Sequence, residues 1–243
     1  MESRKDAFTL TELDETNFAE FRDCIIKVES EGLEHEARTY PGYPNWPLER
    51  LRPRLFVNLE KTLLERRSKR NIDRKPLSKQ ELSRLLQFAH GITGEQNRGP
   101  VPSSGELQAL ELYLVNFTSS WLDQGIYHYD RVGHHLSQIS PKANYEQWKT
   151  FIPSTAQFEG GSLFFVIVGD GARVLRKYGK RGARFLFLEA GHLMQNLCLV
   201  STSLNLCTLP LGGFFEKAIA RELSLPSTDF VLYLGACGKP YTK

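Results

Sequence analysis

Cysteine is scarce in this chain of 243 residues: there are four, Cys24, Cys198, Cys207 and Cys237. They are far apart and form no Cys-x-x-Cys pair, which argues against a zinc site and against a disulfide framework, and leaves reduced thiols in a cytoplasmic protein as the simple reading. Long apolar runs are missing too. None approaches the ~18 residues of a membrane span, and Met-Glu-Ser-Arg-Lys-Asp lacks the basic-then-apolar order of a signal peptide, so no membrane partner is expected. Charge of one sign is not in excess, with 31 Lys and Arg against 28 Asp and Glu and a net charge of +3. That balance does not fit a general polyanion binder, and nucleic acid is not an expected partner. No internal repeat or low-complexity tract appears. His134-His135 has no third ligand at a useful spacing, so no metal is expected. Gly169-Asp-Gly-Ala-Arg lacks the third glycine of a nucleotide loop, Val174 standing in its place, and reads as a turn.

What remains is a globular composition, 41% apolar and 24% charged, long enough for one domain with an extension. Residues 1–57 read as an N-terminal extension or arm. It holds an amphipathic helix around Asn17–Glu29 and then Tyr40-Pro-Gly-Tyr-Pro-Asn-Trp-Pro47, where the prolines and the glycine disfavour regular structure. Residues 58–243 read as a compact α+β domain. A helix from Leu59 leads into a basic cluster, and Ser78 with Glu81 forms a capping box for a helix reaching Ala89 and ending at Gly91. A loop over Gly94–Gly105 precedes a strand at Leu110–Val115. Ile126–Tyr129 and Leu136–Ile139 pair across a turn, and Leu163–Val168 is a buried strand. The longest helix runs from about Arg181 to about Asn205 on a stripe of Leu186, Ala190, Leu193, Leu197, Val200 and Leu204. Phe185, Phe187, Met194 and Leu199 lie off that stripe, which marks a helix buried on most sides in a core or a dimer interface. A helix near Phe215–Leu223 and a strand at Phe230–Leu234 close the domain.

Arg66, Arg67, Ser68, Lys69 and Arg70 combine guanidinium forks, a point charge and a hydroxyl, the donor set a dianionic phosphate needs. A bare cluster of this kind is more often a solvated face. Its context differs, because six segments follow in order: Arg66-Arg-Ser-Lys-Arg70, Pro102-Ser-Ser-Gly105 with Leu110-Glu-Leu-Tyr-Leu-Val115, Gly125-Ile-Tyr-His-Tyr-Asp130, Lys177-Tyr-Gly-Lys-Arg181, Glu189-Ala-Gly-His-Leu-Met-Gln-Asn-Leu197 and Leu211-Gly-Gly-Phe214. Over roughly residues 40–238 this order resembles the nitroreductase superfamily of flavin mononucleotide (FMN) enzymes. Within it, the order is most similar to the SagB or McbC type of azoline dehydrogenases, which form thiazoles and oxazoles.

The resemblance implies a nitroreductase-like α+β fold, a mainly antiparallel central sheet flanked by helices, and an intertwined homodimer holding FMN between its chains. It assigns Arg66, Ser68 and Arg70, with Arg67 beside them, to the phosphate and ribityl chain. Pro102, Ser103 and Ser104 fall on the loop along the isoalloxazine ring, and Gly212 and Gly213 on a later loop approaching it. Lys177 and Tyr178 match the catalytic pair. A lysine removes a proton only in its neutral form, which burial and the neighbouring cations Arg176, Lys180 and Arg181 favour, and the tyrosine can relay or orient that proton. On the residues alone, the better reading of Lys177 is a solvated helix end before Gly179, and only the match of Lys-Tyr-Gly-x-Arg as a unit points to catalysis. His192, Gln195 and Asn196 read as structural or dimer-packing residues. Gln108-Ala109 departs from the Tyr-Pro that many relatives carry.

The function implied is FMN-dependent oxidation of a peptidyl thiazoline or oxazoline to the azole in natural-product biosynthesis, with dioxygen as final acceptor. The partner is a peptide on a leader or carrier protein, delivered by a cyclodehydratase or a nonribosomal synthetase. The alternatives are an NAD(P)H-dependent nitro or quinone reductase and a non-catalytic scaffold subunit.

Overall fold

The computed structural model describes residues 37–95, 97–153 and 158–241. Cys24 and the helix expected over Asn17–Glu29 lie outside them.

Nine strands form the sheet around which these residues are organised. They are β1 (Asn45–Pro47), β2 (Asn71–Asp73), β3 (Leu110–Asn116), β4 (Gly125–Asp130), β5 (His135–Ser140), β6 (Glu159–Gly160), β7 (Leu163–Asp170), β8 (Cys207–Leu211) and β9 (Asp229–Pro240). Their order across the sheet is β1-β5-β4-β3-β7-β9-β2-β6, with β8 also on β9. Each pairing is antiparallel except β2 with β6. The helices are α1 (Leu59–Glu65), α2 (Lys79–His90), α3 (Tyr145–Thr150), α4 (Gly171–Tyr178), α5 (Gly182–Ser203) and α6 (Glu216–Glu222). The expected mainly antiparallel α+β architecture is the one observed.

β7 is buried along its whole length, as its unbroken apolar sequence requires of a strand covered on both faces. Alternation along β3 and β7 sends Tyr113, Val115, Phe164, Val166 and Val168 into one core with Trp148 of α3 and Ile219 of α6. Helix α2 begins at the expected capping box, Ser78 accepting from Glu81 N while the Glu81 carboxylate accepts from Ser78 N. Helix α5 buries Leu186, Ala190, Leu193 and Leu197, and at the next turn Ser201 rather than Val200. The Ser201 hydroxyl meets that of Thr208 on β8 at 2.6 Å. The other flank of α5 is open in the single chain, with Phe187 40% and Leu188 55% exposed.

Three differences from expectation have local causes. Cys207–Leu211 contains Pro210 and does not read as a strand, yet β8 pairs with β9 at an edge, where proline's missing N–H is tolerated. β9 runs past Leu234 to Pro240 because its glycine-containing second half is paired with β7, β8 and β2. The proline-rich 40–47 segment supplies three residues of edge strand, β1 on β5.

Candidate active site

Helix α4 places the pair Lys177-Tyr178. Asp170, the last residue of β7, caps it by accepting from Arg173 N at 3.1 Å, so the expected turn over Gly169–Arg173 is instead a strand running directly into a helix. The helix stops at Gly179, whose φ is +56°, and a single 3-10 turn leads into α5. Arg173 and Lys177 stand at i and i+4 on one face. Both reach the same loop, Arg173 Nη1 donating to Gln108 O at 2.8 Å and Lys177 Nζ to Gly105 O at 3.3 Å.

That loop begins with the Pro102–Gly105 segment and continues to Gln108, so the structure brings Lys177 and Tyr178 close to the segment that carries Ser103 and Ser104. Gly105 has φ +58°, and a Cβ on it would lie 2.2 Å from Tyr178 Oη and 2.8 Å from Lys177 Nζ. Only glycine permits that approach. The Tyr178 ring packs edge-on to Phe185, centroids 4.8 Å apart. Glu106 and Gln108 also hold positive φ, +59° and +49°, a strained run that persists only where the surroundings fix it. They do. Gln108 N donates to Ser103 Oγ at 2.8 Å, Arg98 pairs with Glu106 at 2.7 Å, and the Gln108 side chain accepts from Arg131. Gln108, the residue that departs from the common Tyr-Pro, is thus a hub of the loop.

Two further side chains bear on this loop. Glu189 of α5, 4% exposed, accepts the Ser104 N–H at 2.6 Å; burial pushes its carboxyl above the usual range, against the pull of the Ser104 hydrogen bonds. The signal for it was an acid three residues after Leu186 and four before Leu193, on the buried side of an apolar helix, where a partner is obligatory. Arg173 is the second. Its guanidinium joins Glu111 at 2.9 Å and Asp170 at 3.0 Å, and Glu111 joins His128 at 2.8 Å. Arg38 completes this buried cluster, 2.6 Å from Asp229 and 3.4 Å from Asp170. The cluster fixes the root of α4 on the sheet one turn before Lys177.

The basic cluster occupies a different neighbourhood. It links α1 to β2, with Arg66 half-buried and Arg67, Ser68, Lys69 and Arg70 exposed. Arg67 Nη1 donates to the carbonyls of Leu64 and Arg66, and Arg66 Nη1 to Ser68 Oγ at 3.4 Å. Among the described residues none of its four cations has an acidic partner, which fits a site for a dianion. Arg66 lies near enough to act on the Cys198 thiol and Lys69 on that of Cys207. Cys198 is nine residues beyond Glu189 on α5, about 14 Å along the axis. No hydrogen bond or ion pair among the described residues joins Arg66–Arg70 to the Pro102–Gly105 loop. Gly212 and Gly213 follow β8, exposed, with nothing within 4 Å of either Cβ position, so the chain's own packing does not require glycine there.

Asn196 Nδ2 donates to Ala89 O at 3.3 Å and Pro100 O at 3.4 Å, while His192 and Gln195 are exposed. His134 lies in the turn, accepting or donating to Tyr129 Oη at 2.8 Å, and His135 opens β5. Cys198, Cys207 and Cys237 are free and buried; burial pushes Cys198 up to about 11 and Cys237 to about 12, which keeps both as unreactive thiols.

The sequence profile of the Nitroreductase family matches residues 63–239, from α1 through β9. The chain belongs to the nitroreductase family. A Methanocaldococcus jannaschii protein that carries a provisional nitroreductase name is 31% identical over 188 residues, covering 72% of this chain and 89% of its own. A nitroreductase-named structure from Ralstonia eutropha superposes with TM-score 0.71 at 22% identity, covering 88% of this chain and 97% of that one. A chain of the Escherichia coli microcin synthetase McbBCD complex, bound to truncated pro-MccB17, superposes with TM-score 0.66 at 20% identity over 97% of this chain and 85% of that one. Membership makes this protein a nitroreductase-family oxidoreductase. Among the described residues no helix is long and apolar enough to cross a membrane.

Proposed function

We propose that the protein is an FMN-dependent azoline dehydrogenase, oxidising a thiazoline or oxazoline within a peptide to the aromatic azole. The observation that carries this reading is the convergence of Lys177 Nζ and Tyr178 Oη on Gly105, in the loop that follows Ser103 and Ser104. A reductase fed by a pyridine nucleotide needs no base at that point, whereas ring oxidation does. The likeness to a chain of the microcin synthetase McbBCD complex with truncated pro-MccB17 bound, over 97% of this chain, supports the same reading, and with it a multi-subunit partner.

Aromatising the ring removes two hydrogens, one as a proton and one with its electron pair; FMN, when bound, accepts the latter. Lys177 takes the proton. One of its N–H groups donates to Gly105 O at 3.3 Å, which holds the nitrogen against the loop. Tyr178, braced by Phe185, brings its hydroxyl to the same glycine, where it would relay or orient the proton. The phosphate would be held by Arg66, Ser68 and Arg70 with Arg67, and the ring by Pro102, Ser103, Ser104, Gly212 and Gly213. The basic cluster and the loop sit at different levels of α5, and α5 leaves Phe187 and Leu188 open, which favours a homodimer in which each cofactor touches both chains.

A second reading rests on the nitroreductase names of the relatives: an NAD(P)H-dependent nitro or quinone reductase. Anaerobic mixing separates the two. Bleaching of the bound flavin by a peptidyl thiazoline, with NADPH inert, supports the dehydrogenase; bleaching by NADPH alone establishes the reductase.

A further inference from the structure

The loop at residues 103–108 is gripped from two sides. From α4, Arg173 and Lys177 donate to the carbonyls of Gln108 and Gly105. From α5, the Glu189 carboxylate accepts the Ser104 N–H at 2.6 Å. The Ser104-Gly105 dipeptide is thus held at both ends, its leading N–H by an acid and its trailing carbonyl by a lysine. This matters because Gly105, Glu106 and Gln108 all have positive φ, a conformation that a surface loop does not hold unaided. The Ser104 N–H, which could otherwise turn toward a ligand, is directed into the protein. The carboxyl oxygen accepts the amide at 2.6 Å, and Glu189 is 4% exposed, so water does not compete.

We propose that Glu189 is a positioning residue of the active site: by capturing the Ser104 N–H it sets the conformation of residues 103–106, and so the contact surface for the flavin ring and the seat of Lys177 on Gly105. Its relevance to the flavin rests on the function proposed above; the latch itself does not. Glu189→Ala removes the acceptor, and Glu189→Gln keeps an oxygen at the same reach without the charge.

The test is amide hydrogen exchange of the purified protein, read on peptides covering residues 101–108, together with FMN affinity. In Glu189→Ala the 101–108 peptides exchange at least tenfold faster while α5 and β3 peptides are unchanged, and FMN binds at least tenfold more weakly. Glu189→Gln restores most of the protection and binds within threefold of wild type. Unchanged exchange at 101–108 in Glu189→Ala overturns the latch. Faster exchange with wild-type FMN affinity overturns its role in positioning. Wild-type protein that binds no FMN defeats the functional reading alone, because the exchange arm still reports. If Glu189→Ala does not fold, the wild type decides: the Ser104 amide resonance must titrate together with the Glu189 side-chain carboxyl, and an amide shift independent of that carboxyl overturns the proposal.

Discussion

Replacing Gly105 by alanine tests the active-site geometry proposed above. The new methyl would crowd Tyr178 Oη and lie 2.8 Å from Lys177 Nζ, so the ends of both side chains must shift. Left-handed backbone at this position adds about 1–2 kcal/mol for a residue with a Cβ. Displacing Tyr178 from its edge contact with Phe185 adds about 0.5–1.5 kcal/mol. A destabilisation of about 2–3 kcal/mol lowers the Tm of a domain this size by about 5–10 °C, leaving the protein folded at room temperature. On the mechanism proposed above catalysis suffers more, because moving a reacting group by an ångström costs about 100-fold in rate. Gly42→Ala is the control: it carries φ +84° but has nothing within 4 Å of its Cβ position, so it adds only the backbone term. The assays are thermal unfolding and anaerobic flavin reduction by a peptidyl thiazoline. Gly105→Ala protein that turns over within threefold of wild type, at whatever Tm, would refute the placement of Lys177 and Tyr178 at the reacting ring.

Lys177→Ala should abolish azole formation while leaving FMN bound, read from the visible spectrum and from product mass; retained turnover removes Lys177 from the mechanism. His90 is buried and its pKa is lowered to about 3, chiefly by burial and then by Arg131. The unfolded chain therefore takes up this proton near pH 6.5 and the folded chain does not. Stability from this group is complete above that pH and falls on acidification, by about 2–3 kcal/mol between pH 7 and pH 4.5. Urea midpoints should show that limb, and His90→Gln should flatten it. Gly191→Ala adds helix propensity of roughly 0.8–1 kcal/mol on the open flank of α5, where its Cβ meets nothing within 4 Å in the single chain. If that flank packs on a second copy, sedimentation will show weaker dimerisation despite the better helix; an unchanged or tighter dimer places the interface elsewhere.

The buried charge cluster gives residues 38–47 a definite place. Arg38 reaches Asp229 and Asp170, Tyr40 Oη meets Tyr113 Oη at 2.7 Å, and Trp46 packs edge-on to Tyr127. Removing one partner of such a cluster leaves an uncompensated buried charge, whose cost far exceeds that of an exposed pair. The cluster's other end, Arg173, holds α4 by its N-terminus, so the same side chains that seat this segment also set the height of Lys177 above the loop.

The elements that carry one dominant local signal were legible from the chain alone: the capping box of α2, the apolar run of β7, the 3.6-residue stripe of α5, and the helix stop at Gly179. Each is decided by neighbours within a turn or two, so the sequence window contains the physics. The order of short motifs likewise fixed the family before any contact was known. What the sequence could not determine is anything settled by residues distant along the chain. The proline-bearing β8 is a strand only because β9 runs beside it, and the last residues of β9 are paired only because three other strands meet them. Glu189 and Ser104 are 85 residues apart, and Lys177 and Gly105 are 72 apart. A basic residue near a helix end has two ordinary readings, solvated or catalytic, and both satisfy local chemistry. Tertiary structure selected a carbonyl partner for Lys177 by folding a left-handed glycine against it, a contact that no property of either segment by itself encodes.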